Sequence, residues 1–589
     1  RASEPRPPWW RRGWLFDLAA VASYLTLAAW VTYRLWLRPA GGLADNKADQ
    51  AFFEWNLAHG ARVVTEHINP FFSDRMNVPD GVNMMANTSV LGISLPFAPI
   101  TLAYGAHTAF TVFLTFAFVT TAITWYFILS RYLLPGARVA AWVGAAFCAF
   151  APGMISQGNG HPNIVCQFLV PVLIWRTLEL RKPGRWLRNG LWLGLVVIWQ
   201  AFINLEILFM TVVGLGIFVL VMALARREVR QAWRPFLSGL AVAGGLAVAA
   251  LWYPLHVQFH GPGAYQGLPV YVRRFGADLA SYVAFSRESL FGDASTSTGL
   301  SQNPAEANAF FGWPLIILLI GLIAWLRRSA VVVGLALVAV TFAVFSFGPE
   351  LRLHGHPTGI PSVWKLFIDT PVLSSAVPTR WALAVIPVVG MLLAVAAARA
   401  GALARRLGAW RGHLFRAATV AVFAVALVPI APTALRAGPL AAAPAFITAG
   451  TWRPYTAGGR SLVFIPPATS GNSDPLRWSA QYLDAIPFTH GYFLGPNGKD
   501  GTAMFTAVVR PTTSFLVLAR RSRVSPPISD RLREQSREDL RFWRAGAIVL
   551  VPQPDPVMTA RYRVAMTRLL GFAPREVGGV ELWDVRSRS

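Results

Sequence analysis

The acidic residues of this sequence are scarce, and one polar stretch near its start holds a large share of them. Residues 38–88 carry six of the 28 acidic residues in the chain. The six are Asp45, Asp49, Glu54, Glu66, Asp74 and Asp80. A carboxylate within hydrogen-bond reach of a hydroxyl group takes its proton as the oxygen attacks, so these residues are candidates for a general base.

Two of these acids stand out by their spacing. Asp45 and Asp49 are four residues apart, and they share one face if both are helical. From Asp49 to Val63 the apolar residues recur at helical spacing, which predicts a helix lying flat at the membrane surface. The alternative is that the acids merely form the solvated face of a loop.

A second set of polar residues lies at the ends of apolar runs. An arginine fork or a histidine suits a phosphate group, and an acid within a membrane segment is by default a functional-site hypothesis. The structural alternatives are a turn histidine, an arginine that anchors lipid headgroups, and a glutamate that reaches the membrane interface. The candidates are His161, Asn163, Asn204, Glu206, His356 and Arg380.

The composition indicates the elements that must position these residues. Hydrophobic residues make up 54% of the 589 residues, charged residues 14%, and the mean hydropathy is +0.45. Soluble chains carry about 25% charged residues, so the composition excludes a soluble enzyme and predicts a polytopic α-helical membrane protein. The net charge of +25 resides in arginines of short loops, as the positive-inside rule expects, and no nucleic-acid partner is predicted.

Several familiar chemistries are absent from the sequence. It has no P-loop, H-E-x-x-H, C-x-x-C or G-x-S-x-G motif, which excludes an ATP-driven transporter and a zinc or serine hydrolase of those types. The two cysteines, Cys148 and Cys166, lie in apolar runs, so neither a disulfide framework nor a thiolate metal site is expected.

Apolar runs of about 20 residues, long enough to cross the bilayer as helices, predict about eleven crossings. The first run is Trp14 to Leu37. Arg6, Arg11 and Arg12 precede it, which predicts a cytoplasmic N-terminus.

The count depends on one short run. There are twelve runs, but the arginine-rich loops predict that the two termini lie on opposite sides of the membrane. Ser89 to Tyr104 is short and contains two prolines, so we expect it to be re-entrant rather than spanning. The alternative is that Arg131 faces outward.

The chain is predicted to divide at residue 437. Residues 1–437 form the membrane domain, with outer loops at 38–88, 258–309 and 348–380. Residues 438–589 have the composition of a soluble extracytoplasmic α/β domain. Its predicted strands are 460–466, 545–552 and 580–585, and its predicted helices are 528–543 and 562–570.

Short motifs in this order resemble the GT-C superfamily of integral membrane glycosyltransferases, and more narrowly bacterial transferases of the mannosyltransferase and YfhO-like type. The first outer loop carries Asp49, then Trp55-x-Leu57 after five residues, followed by N-P-F at 69–71 and P-x-G-x-N at 79–83. Pro99, Gly105, the Gly160-His161 pair with Asn163, and P-T-R-W at 378–381 follow, and the resemblance extends to G-G-V-E-L-W at 578–583.

The resemblance implies a polyprenyl-phosphate sugar donor, an inverting transfer at the outer face of a bacterial plasma membrane, and a first-loop acid as base. By that pattern the base would be Asp49. Other members often have two adjacent acids, whereas Asp45 and Asp49 are separated by three residues here, so Asp45 is the alternative base. Donor phosphate binding would fall to Arg380, His161 and His356. Sugar and acceptor binding would fall to Glu206, Asn204, Asn163, Trp55 and Asn83.

The expected partners are the polyprenyl-phosphate-linked sugar, an envelope glycan or glycolipid acceptor, and membrane lipids. No cofactor is expected, since the few outer acids outside the first loop argue weakly against a divalent ion. A flippase or transporter of lipid-linked sugars is the alternative function, and a non-catalytic membrane scaffold is a third. The sequence leaves the sugar and the acceptor open.

Overall fold

The computed structural model describes residues 10–522 and 526–587, with side chains from residue 13 onward. Arg6 therefore lies outside the described residues, and only the backbone is described at Arg11 and Arg12. The chain forms two compact units. The helical unit comprises Arg1–Pro39, Thr111–Leu251 and Val270–Ala437, and the mixed unit comprises Ala40–Phe110, Trp252–Pro269 and Gly438–Ser589.

The last segment of the mixed unit begins at Gly438, where the boundary was predicted, but this unit also contains two earlier segments that were predicted to lie in the membrane domain. The first loop and the short segment Trp252–Pro269 belong to the same compact unit as the C-terminal region. The physical reason is burial, because the first loop supplies apolar side chains to the core of that unit. Composition along the chain cannot reveal such a core, since its parts are far apart in sequence.

The helical unit consists almost entirely of helices. The helices Ala98–Ile128 and Trp233–His260 contribute residues to both units. The helices that lie wholly in the helical unit are Trp10–Trp36, Arg138–Phe150, Pro152–Gln157, Pro162–Val165, Val170–Glu179, Trp186–Ile203, Leu205–Ala225, Arg227–Gln231, Ala294–Leu300, Trp313–Leu326, Ala330–Ser346, Trp381–Arg406 and Ala409–Leu427. A hairpin of Glu350–Leu353 and His356–Pro361 is its main β structure.

Within the described residues, seven helical segments are long and apolar enough to cross a membrane. They are Gly13–Trp36, Ala98–Leu133, Arg138–Gln157, Trp186–Ile203, Leu205–Ala225, Trp233–His260 and Pro378–Arg406. Trp313–Leu326 and Ala330–Ser346 are shorter apolar helices. The chain is therefore a polytopic helical membrane protein, whereas the count of eleven and the orientation of the termini remain predictions.

Two predicted crossings are interrupted in the structure. The run Ile164 to Leu178 yields the end of the short helix Pro162–Val165 and the ten-residue helix Val170–Glu179. The run Ser89 to Tyr104 yields the short helix Leu91–Ser94 and the first turns of Ala98–Ile128, which is kinked at Gly105 with φ 80° and ψ 160°. Gly105 adopts that conformation because it has no Cβ atom.

The mixed unit joins short helices to a small sheet. Its helices are Lys47–Glu66, Leu91–Ser94, Ala445–Thr448, Arg453–Thr456, Asp474–Gln481, Pro511–Arg521, Asp530–Phe542 and Pro556–Leu570. Strands Phe72–Ser73 and Val82–Asn83 pair with each other. A four-stranded sheet has the order Ser461–Ile465, Ala545–Leu550, Val580–Asp584, Arg575–Val577, in which the first two strands are parallel and the other pairs antiparallel.

The five elements predicted for the C-terminal region are all present. The helix predicted at 562–570 begins earlier, at Pro556, because Asp555 caps it through a hydrogen bond from Val557 N to its Oδ1. It ends, as predicted, at Gly571, which has the left-handed φ of 82°. The extracytoplasmic location of this region remains a prediction.

The sheet has an apolar core on each face. Side chains alternate along a strand, so Leu462 and Phe464 enter one core while Val463 and Ile465 enter the other. The first core also contains Phe52 and other residues of the helix Lys47–Glu66. Thus the first outer loop covers one face of the C-terminal sheet.

The prediction that the first-loop helix lies flat at the membrane surface is therefore wrong. Every residue from Gln50 to Arg62 is buried, including the polar ones. The helix packs against Asp474–Gln481 within the mixed unit. Its apolar spacing was read correctly, but the apolar face meets protein rather than lipid.

The buried His490 predicts an acid sensitivity of the mixed unit. Burial lowers the pKa of its imidazole from 6.5 to about 4, and its two ring nitrogens lie 2.9 Å from Thr489 Oγ1 and 2.8 Å from Thr513 Oγ1. Between pH 6.5 and 4, His490 binds a proton in the unfolded chain but not in the folded chain. The free energy of unfolding therefore decreases by about 3 kcal/mol as the pH falls from above 6.5 to 4.

The measurement is the free energy of unfolding of the full chain in detergent at pH 7 and pH 4. We expect His490→Gln to lose less stability on acidification than the wild type. His67→Asn is the matched control, because His67 is exposed and its φ of 53° suits asparagine. Parallel pH curves for wild type and His490→Gln would contradict this assignment.

Candidate functional site

Asp49 lies in the first turn of the helix Lys47–Glu66, three residues after its N-cap. The cap is Asn46, whose Oδ1 accepts a hydrogen bond from Asp49 N at 3.2 Å. Asn46 Nδ2 donates to Asp49 Oδ2 at 2.5 Å, and the Tyr492 hydroxyl donates to Asp49 Oδ1 at 2.8 Å. The helix N-terminus favours a negative charge at this position. The result is a half-buried carboxylate with a defined orientation.

Asp45 does not share the helix face of Asp49. It is half-buried, but it precedes the cap and so lies outside the helix. A common face was predicted only if both residues are helical. Because the helix begins at Lys47, Asp45 is not helical and the two acids do not share a helix face.

Glu54 is the one first-loop acid that is fully buried. Its Oε1 accepts a hydrogen bond from Gln50 Nε2 at 2.8 Å and lies 2.7 Å from His107 Nδ1. The pair of Glu54 and His107 is a site that sequence reasoning missed. The spacing of 53 residues between the partners offered no local signal.

A second buried carboxylate joins the first loop to the C-terminal region. Asp484 is fully buried, and its Oδ2 lies 3.4 Å from His59 Nδ1, 3.7 Å from an Arg62 nitrogen and 3.3 Å from Ser73 Oγ. Burial raises the pKa of Asp484, and the nearby His59 and Arg62 oppose that shift. This cluster holds the fold of the mixed unit together.

Two predicted sugar-binding residues are structural in this fold. Trp55 is fully buried in the core, stacked on Phe52 with ring centroids 6.4 Å apart. Asn83 is buried and donates from Nδ2 to the carbonyl of Val257 at 2.7 Å. Neither side chain presents a surface to a sugar, so we no longer assign them to a binding site.

In the helical unit, Arg380 joins two glutamates. Its Nε and Nη2 donate to Glu306 Oε1 at 3.0 and 2.6 Å, and its Nη1 donates to Glu206 Oε2 at 3.0 Å. Glu306 is 5% exposed as a side chain, whereas Glu206 and Arg380 are about one-fifth exposed, at 21% and 19%. Because two carboxylates occupy the guanidinium fork, Arg380 is not the phosphate ligand that the sequence predicted. The triad carries a net negative charge instead.

The triad extends into a buried chain of amides. Glu306 Oε2 accepts from Asn308 Nδ2 at 2.9 Å, and Asn308 Oδ1 accepts from Gln157 Nε2 at 2.6 Å. Gln157 Oε1 lies 2.7 Å from His161 Nδ1. This polar network, from Glu206 to His161, therefore connects three of the predicted site residues.

Sequence reasoning missed the middle of the polar network, namely Glu306, Asn308 and Gln157. A signal was present, since Gln157 lies four residues before the candidate His161, and Glu306 and Asn308 lie shortly before the apolar helix Trp313–Leu326. Sequence patterns do not indicate their roles, because Glu306 is 74 residues from Arg380 and Gln157 is 151 residues from Asn308.

The remaining candidates stand apart from the polar network. Asn204 caps the helix Leu205–Ala225, accepting from Ile207 N at 2.9 Å, so its role is structural. Asn163 is buried, and His356 is exposed on the hairpin. Among the described residues, no group of three His, Cys, Asp or Glu side chains is arranged to hold a metal ion.

In sequence, residues 62–409 match a family described as Domain of unknown function (DUF6311). No curated protein matches the chain in sequence. Among solved structures it is similar to the mycobacterial arabinofuranosyltransferase AftD, with a TM-score of 0.58 at 15% identity. That match covers 98% of this chain but only 40% of the AftD chain.

The chain is also similar to the oligosaccharyltransferase of Archaeoglobus fulgidus. The apo form has a TM-score of 0.52 at 11% identity, covering 92% of this chain and 70% of that one. The same organism's AglB in complex with an inhibitory peptide and a dolichol-phosphate has a TM-score of 0.51 at 13% identity, covering 96% and 72%. The chain therefore shares the fold of these two glycosyltransferases, whereas membership of the GT-C superfamily and the YfhO-like subtype remain predictions.

The triad predicts a large stability cost for Arg380→Met. The substitution leaves the buried Glu306 without its cation, and breaking a buried ion pair in this way costs about 3–5 kcal/mol. The readout is denaturant unfolding of the full chain in detergent, followed by tryptophan fluorescence.

Two further variants make the test specific. Arg537→Met removes a solvent-exposed pair with Glu534 and is expected to cost at most about 0.5 kcal/mol. Arg380→Met combined with Glu306→Gln is expected to recover part of the loss, because it removes the unpaired charge. Equal costs for Arg380→Met and Arg537→Met would show that the triad does not stabilise the fold.

Proposed function

This chain belongs to the DUF6311 family, and we propose that it is a membrane glycosyltransferase that moves a sugar from a polyprenyl phosphate to an envelope glycan or glycolipid. Its structural neighbours support this proposal, since one is an arabinofuranosyltransferase and another is an oligosaccharyltransferase bound to a dolichol-phosphate. The chain spans two-fifths of the AftD chain, so the reaction assigned here rests on the residues of this chain.

The observation that carries the proposal is the geometry of Asp49. A general base must be accessible to its substrate and held in one orientation. Asp49 meets both conditions, because it is half-buried and accepts hydrogen bonds from Tyr492 and Asn46. The base lies at the end of a rigid, buried helix, which fixes its position better than a loop does.

The other first-loop acids fit the role less well. Glu54 is buried and already bound to Gln50 and His107. Asp74 and Asp80 are exposed on the loop. Asp45 is half-buried but lies outside the helix, so it is the second choice.

In the proposed reaction, an acceptor hydroxyl attacks the anomeric carbon of the donor sugar. Asp49 takes the hydroxyl proton as the new carbon–oxygen bond forms. The bond from the anomeric carbon to the phosphate oxygen breaks, and polyprenyl phosphate leaves with the bonding electrons. Attack opposite the leaving group in a single displacement inverts the anomeric centre.

The departing phosphate requires positive charge. Arg380 does not supply this charge in the proposed reaction, because two glutamates occupy its guanidinium group. His161 and His356 remain the predicted phosphate ligands. Glu206 is partly exposed, and a carboxylate accepts hydrogen bonds from hydroxyl groups, so it remains the predicted sugar ligand.

The test is sugar transfer by the purified full chain, with radiolabelled polyprenyl-phosphate sugars as donors and crude envelope as acceptor. We expect Asp49→Asn to lower transfer by at least about 100-fold, since a positioned base contributes 10²–10⁴-fold. Glu206→Gln is expected to raise KM for the donor or acceptor with a smaller change in kcat.

Asp45→Asn is the matched control, since it removes one half-buried first-loop carboxylate four residues away. A loss confined to Asp45→Asn would move the base to that residue. Donor movement across proteoliposomes without any transfer would contradict the enzyme and favour the flippase.

A further inference from the structure

The helical unit contains a large cavity that the proposed reaction does not use. Its volume is about 740 Å³. Residues of six helices line it, together with residues of the segment 129–134. The six helices are Val170–Glu179, Leu205–Ala225, Arg227–Gln231, Trp233–His260, Ala330–Ser346 and Trp381–Arg406. The lining is mainly aliphatic and aromatic, so the cavity suits an apolar ligand.

One face of the helix Leu205–Ala225 runs along the whole cavity. The lining residues recur at steps of three and four from Ile207 through Gly214 and Phe218 to Arg226, which is the spacing of a single helical face. Nineteen residues at 1.5 Å each give a length of about 28 Å. The cavity is therefore an elongated groove parallel to a candidate membrane span.

Arginines gather at one end of this groove. Arg181, Arg226, Arg230 and Arg399 all line it, and all four are exposed. Each lies beyond or near the C-terminal end of a lining helix or in the link between two of them. In the part of the chain that the structure describes, none of the four forms a salt bridge with a carboxylate. Arg230 additionally donates to the carbonyls of Ala223 and Leu224.

We propose that this groove binds an anionic membrane phospholipid, with the phosphate on the arginines and the acyl chains between the helices. Arginine forks match phosphate oxygens, and each buried methylene group of an acyl chain contributes about 0.8 kcal/mol. A soluble phosphate would leave the apolar walls in water, and an uncharged lipid would make no use of the four cations.

The arginines also indicate the leaflet from which the lipid comes. The positive-inside rule predicts that these helix ends face the cytoplasm. The cytoplasmic leaflet carries anionic phospholipids, and basic pockets between transmembrane helices on that side bind their headgroups. The groove thus complements a lipid of that leaflet in both charge and apolarity.

The experiment is native mass spectrometry of the full chain in detergent, titrated with phosphatidylglycerol or with phosphatidylcholine of the same acyl chains. We expect one phosphatidylglycerol per chain to bind at least about tenfold more tightly than phosphatidylcholine. Arg226→Gln combined with Arg399→Gln is expected to abolish that preference, because both guanidinium groups line the groove and neither forms a salt bridge among the described residues.

Two more variants keep the test specific. Arg405→Gln combined with Arg406→Gln removes two exposed charges from the same end of the helix Trp381–Arg406 but lies outside the groove, so it should keep the preference. Val219→Trp fills the groove and should weaken both lipids.

Three outcomes would overturn the proposal. The first is equal binding of phosphatidylglycerol and phosphatidylcholine. The second is an equal loss in the two double-arginine variants, which would indicate a general effect of surface charge. The third is displacement of phosphatidylglycerol from the wild type by an equimolar amount of undecaprenyl phosphate, which would assign the groove to a prenyl lipid.

Discussion

Several buried carboxylates of this protein lie beside a cation or a histidine, and removing those partners would destabilise the fold. Asp17 accepts hydrogen bonds from Arg131 and Arg138, and Glu306 accepts from Arg380. Removing one partner would leave a charge in a medium that solvates it poorly, which costs several kcal/mol. Only 14% of the residues are charged, and several of the acidic residues form such internal contacts.

These pairings decide which polar residues remain for chemistry. Arg380 has the right type for a phosphate ligand, yet its guanidinium group is bound by two glutamates. Glu54 has the right type for a base, yet it is buried beside His107. Asp49 differs because it lies at a helix end, where oriented donors hold it without burying it completely. Position within an element, more than residue type, therefore separates candidate catalytic groups from structural ones.

The first outer loop shows how tertiary packing changes the meaning of a correct local prediction. Its helix was predicted from the spacing of Phe52, Trp55 and other apolar residues, and the helix is present. The pattern shows only that one face of the helix is apolar, and either lipid or protein can cover such a face. The C-terminal sheet provides the covering surface, and it is encoded some 400 residues later.

The membrane class, the helical runs, the elements of the C-terminal region and the set of candidate acids were predictable from the amino-acid sequence. These properties follow from composition and from short-range periodicity, which are local. Three other features are visible only in the folded chain: the first loop packs with the C-terminal sheet, Glu306 and Asn308 link Arg380 to Gln157, and four arginines line one groove. Such contacts join residues far apart in the chain, and the energy of burying and pairing their side chains exists only once the chain has folded.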